Sequence, residues 1–363
     1  MMENLIPGLP EEIAVECLIR VSHQSFAQLR RVCRRWKQKL DSPLFYRLRL
    51  SAGFARSLLA LTQAEHLAGV APSQKHPSSF PAYRLTVIDP AAGEWNALPA
   101  IPGLSRGLPL FFRLASAGCK LVVVGGWDPD TLAATDSVYV YDFLAGAWRR
   151  GRPMPGPRRS FFACASSPDG RVFVAGGHDE EKNALRSAMV YDVGKDEWAP
   201  LPEMARERDE CAGVIVGGMF RVLGGYSTAM QGRFGGCAES FDIGKWRWLP
   251  VEEAAMSEGE SPRTSVAGDD GRVYMCRGVW VASSEAEGEG WRAVAQLPED
   301  VRVALVMIWW KGKLVVVGTG CHGGEQAAYV LHMKQGTGSP AWLKMEVPAE
   351  YSGNVQCGCC VEI

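Results

Sequence analysis

The stretch RVFVAGGHDE, Arg171 to Glu180, decides the fold: a β-branched run drives into two glycines and then turns polar. LVVVGGWDPD, with Gly125-Gly126, does the same, and so does FRVLGGYSTA, with Gly224-Gly225. The leading glycines Gly125, Gly176 and Gly224 are 51 and 48 residues apart. Self-similarity at such a period marks a repeat architecture and takes precedence over local prediction. A second marker runs in phase. YDFLAGAW ends at Trp148, YDVGKDEW at Trp198 and FDIGKWRW at Trp248, with 50 residues between successive tryptophans. VIDPAAGEW, ending at Trp95, extends the series upstream; EAEGEGW at Trp291 and GTGSPAW at Trp342 extend it downstream. Leu-Pro or Pro-Met-Pro follows the tryptophan at Leu98, Pro153, Leu201, Leu249 and Leu297. The chain therefore holds six periods.

Within one period the local code is β. SFFACASS, the turn PDG and RVFVAGG read as a hairpin. SAMVYDVGKDEWAPLP supplies a third strand, a tight turn at Gly194-Lys195 and a fourth strand carrying Trp198. Four antiparallel strands per unit, stacked through a large aromatic, make a propeller blade. The glycine pair ends the second strand where backbone packs closely or takes φ > 0. Blades 2 to 6 are expected at about 110–155, 160–204, 210–250, 263–298 and 302–347. In the last two, Cys276-Arg277-Gly278 and Gly318-Thr319-Gly320 stand where the glycine pair belongs. Blade 1, about 56–101, begins at RSLLALTQAE, crosses the polar loop 66–82 and resumes at YRLTVIDP, so it lacks a first strand. SGNVQCGCCVEI, 352–363, reads as a first strand with no second after it. It is expected to complete blade 1, because an unclosed ring leaves open sheet edges.

Bulk properties narrow the class. Hydrophobic content of 47% and charge of 22% describe a globular chain. A net charge of −1 gives no global pull toward nucleic acid or a membrane. No apolar run reaches the ~18 residues of a membrane span, and the acidic, Pro-broken start MMENLIPGLPEEIAVECLIR is unlike a secretory signal. Eleven cysteines without paired spacing fit a reducing compartment, cytoplasm or nucleus.

The first fifty residues, with nine Lys/Arg against five Asp/Glu, lie outside the repeat. Pro10 opens a helix whose first turn carries Glu11-Glu12. Ile13, Cys17, Leu18 and Val21 recur at helical spacing, and Ser22 or Ser25 is placed to cap a second short helix. Val32, Cys33, Trp36 and Leu40 define one face of a third. RRVCRRWKQK is then a basic solvated face, though a nuclear-localisation or RNA-binding run has the same composition. Three helices in so few residues bury a small core and call for a partner.

The Gly-Gly, Tyr-Asp and Trp markers resemble the kelch repeat, and the order LPxE, CLIRV, LRRVCRRW, SPLF resembles an F-box. Across nearly its full length, including FARSLLALTQAE and the closing CCVEI, the chain resembles plant kelch F-box proteins. The fold class this implies is mainly β: a six-bladed kelch β-propeller over 51–363, preceded by a three-helix F-box over 1–50. The resemblance further implies docking on a Skp-type adaptor, and through it on a cullin ubiquitin-ligase scaffold. The matching positions are Leu9, Pro10, Ile13, Cys17, Leu18, Leu29, Val32, Cys33 and Trp36. The polar SHQSF departs from the more apolar turn of many F-boxes. A non-degradative interaction scaffold is the alternative. Members of the family target phenylalanine ammonia-lyase or cytokinin response regulators for degradation.

Catalytic signatures are missing. No Gly-rich stretch ends in Gly-Lys-Ser/Thr, so no phosphate-binding loop is expected. In CGCC, Cys357 and Cys359 face one side of a strand and Cys360 the other, as packing cysteines do. His178 and His322 each follow a strand-ending glycine motif and read either as loop residues or as a metal pair meeting across the ring. No cofactor is expected. Topology brings the segment after each glycine pair and the segment before each first strand to one face. That face collects Trp127, Asp128, His178, Asp179, Tyr226 and Arg233 with Arg106, Arg158, Arg159, Arg206, Arg208, Arg263 and Arg302. The arginines either form a ring that grips carboxylate-bearing segments of a target or tie loops together by salt bridges.

Overall fold

Every 50-residue period folds into one four-stranded antiparallel sheet, and six such sheets form the ring. The computed structural model describes residues 4–65, 81–285, 290–333 and 340–363. The expected polar loop 66–82 falls mostly outside the described residues, as do parts of the segments preceding Trp291 and Trp342.

Blade 3 shows why the sequence reads as it does. Its strands are Ala163–Ser166, Arg171–Ala175, Ala188–Asp192 and Glu197–Leu201. Val172 and Val174 pack with Val122, Val124 and Val140 of blade 2, whereas Phe173 and Ala175 pack with Phe220 and Val222 of blade 4. A strand sandwiched between two neighbouring sheets has no polar face, hence the unbroken apolar run. The repeated tryptophan joins the blades. Nε1 of Trp148, Trp198, Trp248, Trp291 and Trp342 donates to the carbonyl of Pro99, Arg152, Pro202, Ala255 and Gln296, each in the preceding blade, at 2.7–2.9 Å. Trp95 of blade 1 instead stacks on Tyr351, which follows blade 6, at 5.6 Å. Each such hydrogen bond contributes about 1 kcal/mol net.

The chain closes on itself as the sequence suggests. Val355–Glu362 pairs antiparallel with Ser57–Ala64 and becomes the innermost strand of blade 1, with Leu58 opposite Val361 and Leu59 opposite Cys360. Cys357 and Cys359 pack toward blade 2, and Cys360 packs toward Ile308 and Val317 of blade 6.

The glycine pairs do what the sequence asks of them in blades 2 to 4. At Gly177, φ is 82° and an added Cβ would stand 2.4 Å from the Ser160 carbonyl oxygen. Blades 5 and 6 differ. Arg277 pairs with Trp280 across a two-residue hairpin at Gly278-Val279, and around Gly278 there is open space. Gly318 lies within the strand Lys313–Thr319, which runs straight on to the end of the motif. Gly278 is thus an open turn residue, whereas Gly318 is a strand glycine packed under the Val301 and Val303 carbonyls, 3.0 and 2.9 Å from an added Cβ.

The N-terminal module has four α-helices where three were expected: α1 Glu11–Ile19, α2 Phe26–Leu29, α3 Arg34–Leu40 and α4 Pro43–Ser51. Helix α4 is started by Ser42, whose hydroxyl accepts from Phe45 N at 3.2 Å, and by Pro43 in the first turn. Neither Ser22 nor Ser25 makes a side-chain cap. Glu11 of α1 pairs with Arg35 and Lys39 of α3 at 3.2 and 3.0 Å, and the hydrogen bond from Lys39 is the main cause of its lowered pKa. Leu5, Ala14, Leu18, Ile19, Phe26, Leu40 and Phe45 form the core, joined by Leu144 of blade 2. The Arg49 guanidinium, almost wholly buried, donates to the carbonyls of Ile19, Val21 and Phe54 at 2.5–2.9 Å. Helices and propeller thus share one apolar cluster.

Candidate functional site

Two faces of the ring have different neighbours. Bridges between Leu110 and Trp127, Ser160 and His178, and Asp209 and Tyr226 bind the segment before each innermost strand to the loop after the second strand. These loops share what we call the upper face. The helical module sits on the lower face, where Leu144 in the hairpin between the strands Val138–Asp142 and Ala147–Arg150 enters its core, with Cys119 packed alongside.

On the helical module the nine positions read from the sequence divide by burial. Leu18 is a core residue, and Leu9, Leu29 and Trp36 are half-buried against the same core. Trp36 Nε1 also donates to the Leu5 carbonyl at 2.7 Å. Leu18 is thereby excluded from direct contact with a partner. Pro10, Ile13, Cys17, Val32 and Cys33 are exposed. Val32 and Cys33 precede α3 instead of lying on its buried face: Cys33 is the N-cap, its Sγ accepting from Trp36 N at 3.4 Å. Ile13 and Val32 are 50% and 60% exposed, and Leu44 on α4 adds a further apolar side chain to the module's surface.

On the upper face the arginines do not form a uniform ring. Arg159 is fully buried; it donates to the carbonyls of Gly176 and Ser187 at 3.2 Å and to Ser187 Oγ at 2.9 Å. Burial pushes its pKa down to about 10. Arg208, at the same place in blade 4, grips the Gly224 and Cys237 carbonyls at 2.7 and 3.0 Å and the buried Glu239 carboxylate at 3.2 Å. Both are pins that hold the glycine turns, unavailable to a target. Arg106 pairs with Asp130 at 3.1 Å, and Arg206 makes a bidentate pair with Glu253 at 2.7 and 3.0 Å. Arg158 reaches Glu180 only at 3.8 Å and is exposed, as is Arg233. Salt bridging between loops therefore accounts for Arg106 and Arg206. Arg263 and Arg302 line the central cavity, of about 760 Å³, along which the innermost strands run; they stand 3.7 and 3.8 Å from the Glu210 and Glu299 carboxylates, and Arg302 donates to the Leu297 carbonyl at 3.3 Å.

The remaining candidates organise the loops. Asp128 accepts from Asp130 N, Thr131 N and Thr131 Oγ1 at 2.9–3.1 Å, and the Thr131 N–H in particular holds its carboxyl below the usual range. Asp179 accepts from Asn183 N and Nδ2 at 2.8 and 3.1 Å. His178 Nδ1 lies 2.8 Å from Asp209 Oδ2 while His322 is exposed, and among the described residues no group of three or more His, Cys, Asp or Glu could hold a metal. The Tyr226 hydroxyl donates to Glu210 at 3.0 Å, and burial raises its pKa. Trp127 Nε1 donates to Ser160 Oγ.

Sequence reasoning missed Phe111, Phe161, Glu210 and Arg113. The first three stand two residues before an innermost strand and hold φ of 55°, 54° and 49°. Phe111, Trp127 and Phe161 form one aromatic cluster with centroids 5.3–5.9 Å apart, and His178 lies tilted against Phe161 at 5.6 Å. The signal was present: Phe-Phe occurs at 111–112 and again at 161–162, in phase with the repeat.

The kelch motif family matches residues 110–155 and 159–205, and the F-box domain family matches residues 6–48. F-box/kelch-repeat protein At1g15670 of Arabidopsis thaliana is 44% identical over 370 residues, covering 99% of this chain and all of the relative. F-box/kelch-repeat protein At1g80440 of the same plant is likewise 44% identical, over 367 residues. The chain belongs to the F-box/kelch-repeat proteins. The solved structure titled "Structure of YjhT" aligns with a TM-score of 0.57 over 72% of this chain and 91% of its own, at 13% identity, which speaks for the fold alone. An F-box joined to a kelch propeller supports a substrate-adaptor role of the SCF type: the F-box for a Skp-type adaptor, the propeller for a protein target.

Proposed function

We propose that this chain is the non-catalytic substrate-recognition subunit of a cullin-based ubiquitin ligase. The F-box docks on the Skp-type adaptor, and the upper face of the propeller captures a target for ubiquitination and proteasomal degradation. The observation that carries this reading is the placement of two exposed surfaces on opposite sides of one rigid body. The F-box core, completed by Leu144 of the lower face, is filled, yet the module leaves Ile13 and Val32 in solvent. A target held on the upper face is then kept at a fixed distance and orientation from the ligase, which raises its effective concentration at the charged enzyme. All eleven cysteines are free, which supports residence in a reducing compartment, cytoplasm or nucleus. Phenylalanine ammonia-lyase and the cytokinin response regulators are the candidate targets that resemblance to plant kelch F-box proteins supplies.

Affinity capture of the full chain under proteasome inhibition tests this. The adaptor and a target accumulate together, and Ile13→Asp with Val32→Asp lowers adaptor recovery by at least about tenfold, as loss of apolar interface anchors does. Those exposed positions leave the F-box core intact, whereas Trp36→Ala would also damage it. Failure to recover the adaptor overturns the reading. A target that binds but does not accumulate on proteasome inhibition favours the scaffold.

A further inference from the structure

Strained backbone recurs on the upper face: Phe111, Phe161 and Glu210 before innermost strands, and Leu132 and Lys182 in the loops after the glycine pairs, all hold positive φ. A residue with a side chain rarely adopts the left-handed region, and for a bulky aromatic such a φ is an outlier that persists only when surrounding structure enforces it. Phe111 and Phe161 both adopt it, at equivalent positions of adjacent blades, and Phe111 still leaves 37% of its surface in solvent. Burial alone does not explain an exposed aromatic held in a costly conformation. What the conformation achieves is the contiguous platform of Phe111, Trp127 and Phe161 at the channel mouth. The strand that closes the ring also braces it, since Gln356 Oε1 accepts from Phe111 N at 3.1 Å.

The lining of the central cavity beside the platform carries charge of one sign, whereas Glu210 holds the blade 4 position equivalent to Phe111 and Phe161. The residues lining the central cavity include Arg113, Arg263 and Arg302 and no Asp, Glu or Lys among the described residues. Arg113 begins its strand next to the platform and donates through Nε to the Phe162 carbonyl at 2.9 Å. Arg263 is mostly exposed; Glu210 Oε2 is 3.7 Å away, while the other oxygen of that carboxylate, Oε1, accepts from Tyr226. Arginine heads at a partly apolar mouth suit bidentate recognition of a carboxylate.

We propose that the channel mouth seats a linear segment of the target in which an aromatic or aliphatic side chain lies beside a carboxylate, the first on Phe111, Trp127 and Phe161, the second toward Arg113, Arg263 and Arg302. This rests on the reading that the propeller captures a target on its upper face, and it names the chemistry of that target.

The test selects binders to the full chain from random-peptide libraries, one with amidated and one with free C-termini. Enriched sequences carry a large apolar residue within two positions of Asp or Glu, or, in the second library alone, within two positions of the chain end. Affinity for the enriched peptides falls at least about tenfold in Phe111→Gly, Phe161→Gly and Arg263→Glu, as for central interface anchors. Glycine relieves the left-handed strain, so both glycine variants keep or raise the thermal midpoint while losing the peptide. No enrichment, basic consensus sequences, or glycine variants that melt lower and still bind would each overturn the proposal. Adaptor recovery measured on the same variants stays at the wild-type level. Its loss from the parent chain points instead to failure of the ligase reading.

Discussion

Blades 3 and 5 share a ring and one outer fastening, yet they end their second strands in different ways. In both, a tryptophan of the outer strand donates to the preceding blade, Trp198 to Arg152 at 2.9 Å and Trp291 to Ala255 at 2.7 Å. In blade 3 the chain then bends through Gly176 and Gly177 against the Ser160 carbonyl and raises a loop onto the upper face. In blade 5 it turns back at once through Gly278 and Val279. The ring needs the tryptophan and the doubly buried inner strands. The glycine pair serves the loops above, and blades 2 to 4, which carry it, also carry the strained Phe111, Phe161 and Glu210 and the aromatic cluster. Ring geometry and surface chemistry are thus encoded by separate residues.

The largest effect concerns what both blade types share, closure of the ring. Deleting 355–363 removes the buried Val355, Val361 and Ile363 and exposes the partners of Cys357, Cys359 and Cys360 in three clusters. At about 1.5–3 kcal/mol per buried apolar side chain, the loss is comparable with the stability of an entire domain. The truncated protein should lose its cooperative thermal transition; a melt like that of the intact chain would break the account of closure.

Next comes the contrast between the two pins. Arg208→Met strands Glu239, 1% exposed, without its countercharge and should cost about 3–5 kcal/mol in urea unfolding. Among the described residues no carboxylate pairs with Arg159, so Arg159→Met should cost less than Arg208→Met, and adding Glu239→Gln to Arg208→Met should recover part of the loss. Equal costs for the two single variants would mean that the carbonyl contacts alone matter.

The smallest effect sharpens the comparison itself. Gly278→Ala has open space around it and carries only the left-handed conformation, about 1–2 kcal/mol. Gly177→Ala adds a Cβ 2.4 Å from a backbone oxygen that cannot swing away, so it should exceed the blade 5 variant by at least about 2 kcal/mol. Equal melting temperatures for the two would remove the distinction between a packed turn and a free one.

Periodicity made the ring legible, because tryptophan, glycine pair and Tyr-Asp each mark a fixed point of the blade. Helix α4 is legible in the same way, since Ser42-Pro43 within SPLF is a cap followed by a first-turn proline. The upper face was less so. Arg158 and Arg159 are adjacent in sequence, yet one is exposed and the other fully buried, because the turn before the strand sets which side chain enters the blade. Arg113 opens the strand Arg113–Ala117, and its place at the channel mouth follows from that strand being innermost, which the sequence does not mark. Phe161 carried the strand propensity of an aromatic, whereas the strand begins at Ala163 and Phe161 holds a left-handed turn.

The closing strand also governs timing. Residues 355–362 leave the ribosome after blades 2 to 6, and Gln356 on that strand braces Phe111. A chain cut short by an early stop codon just upstream would retain the helical grip without a sealed ring or a finished rim. On the function proposed above, such a fragment would occupy the adaptor while presenting no finished target surface, and would compete with the intact chain.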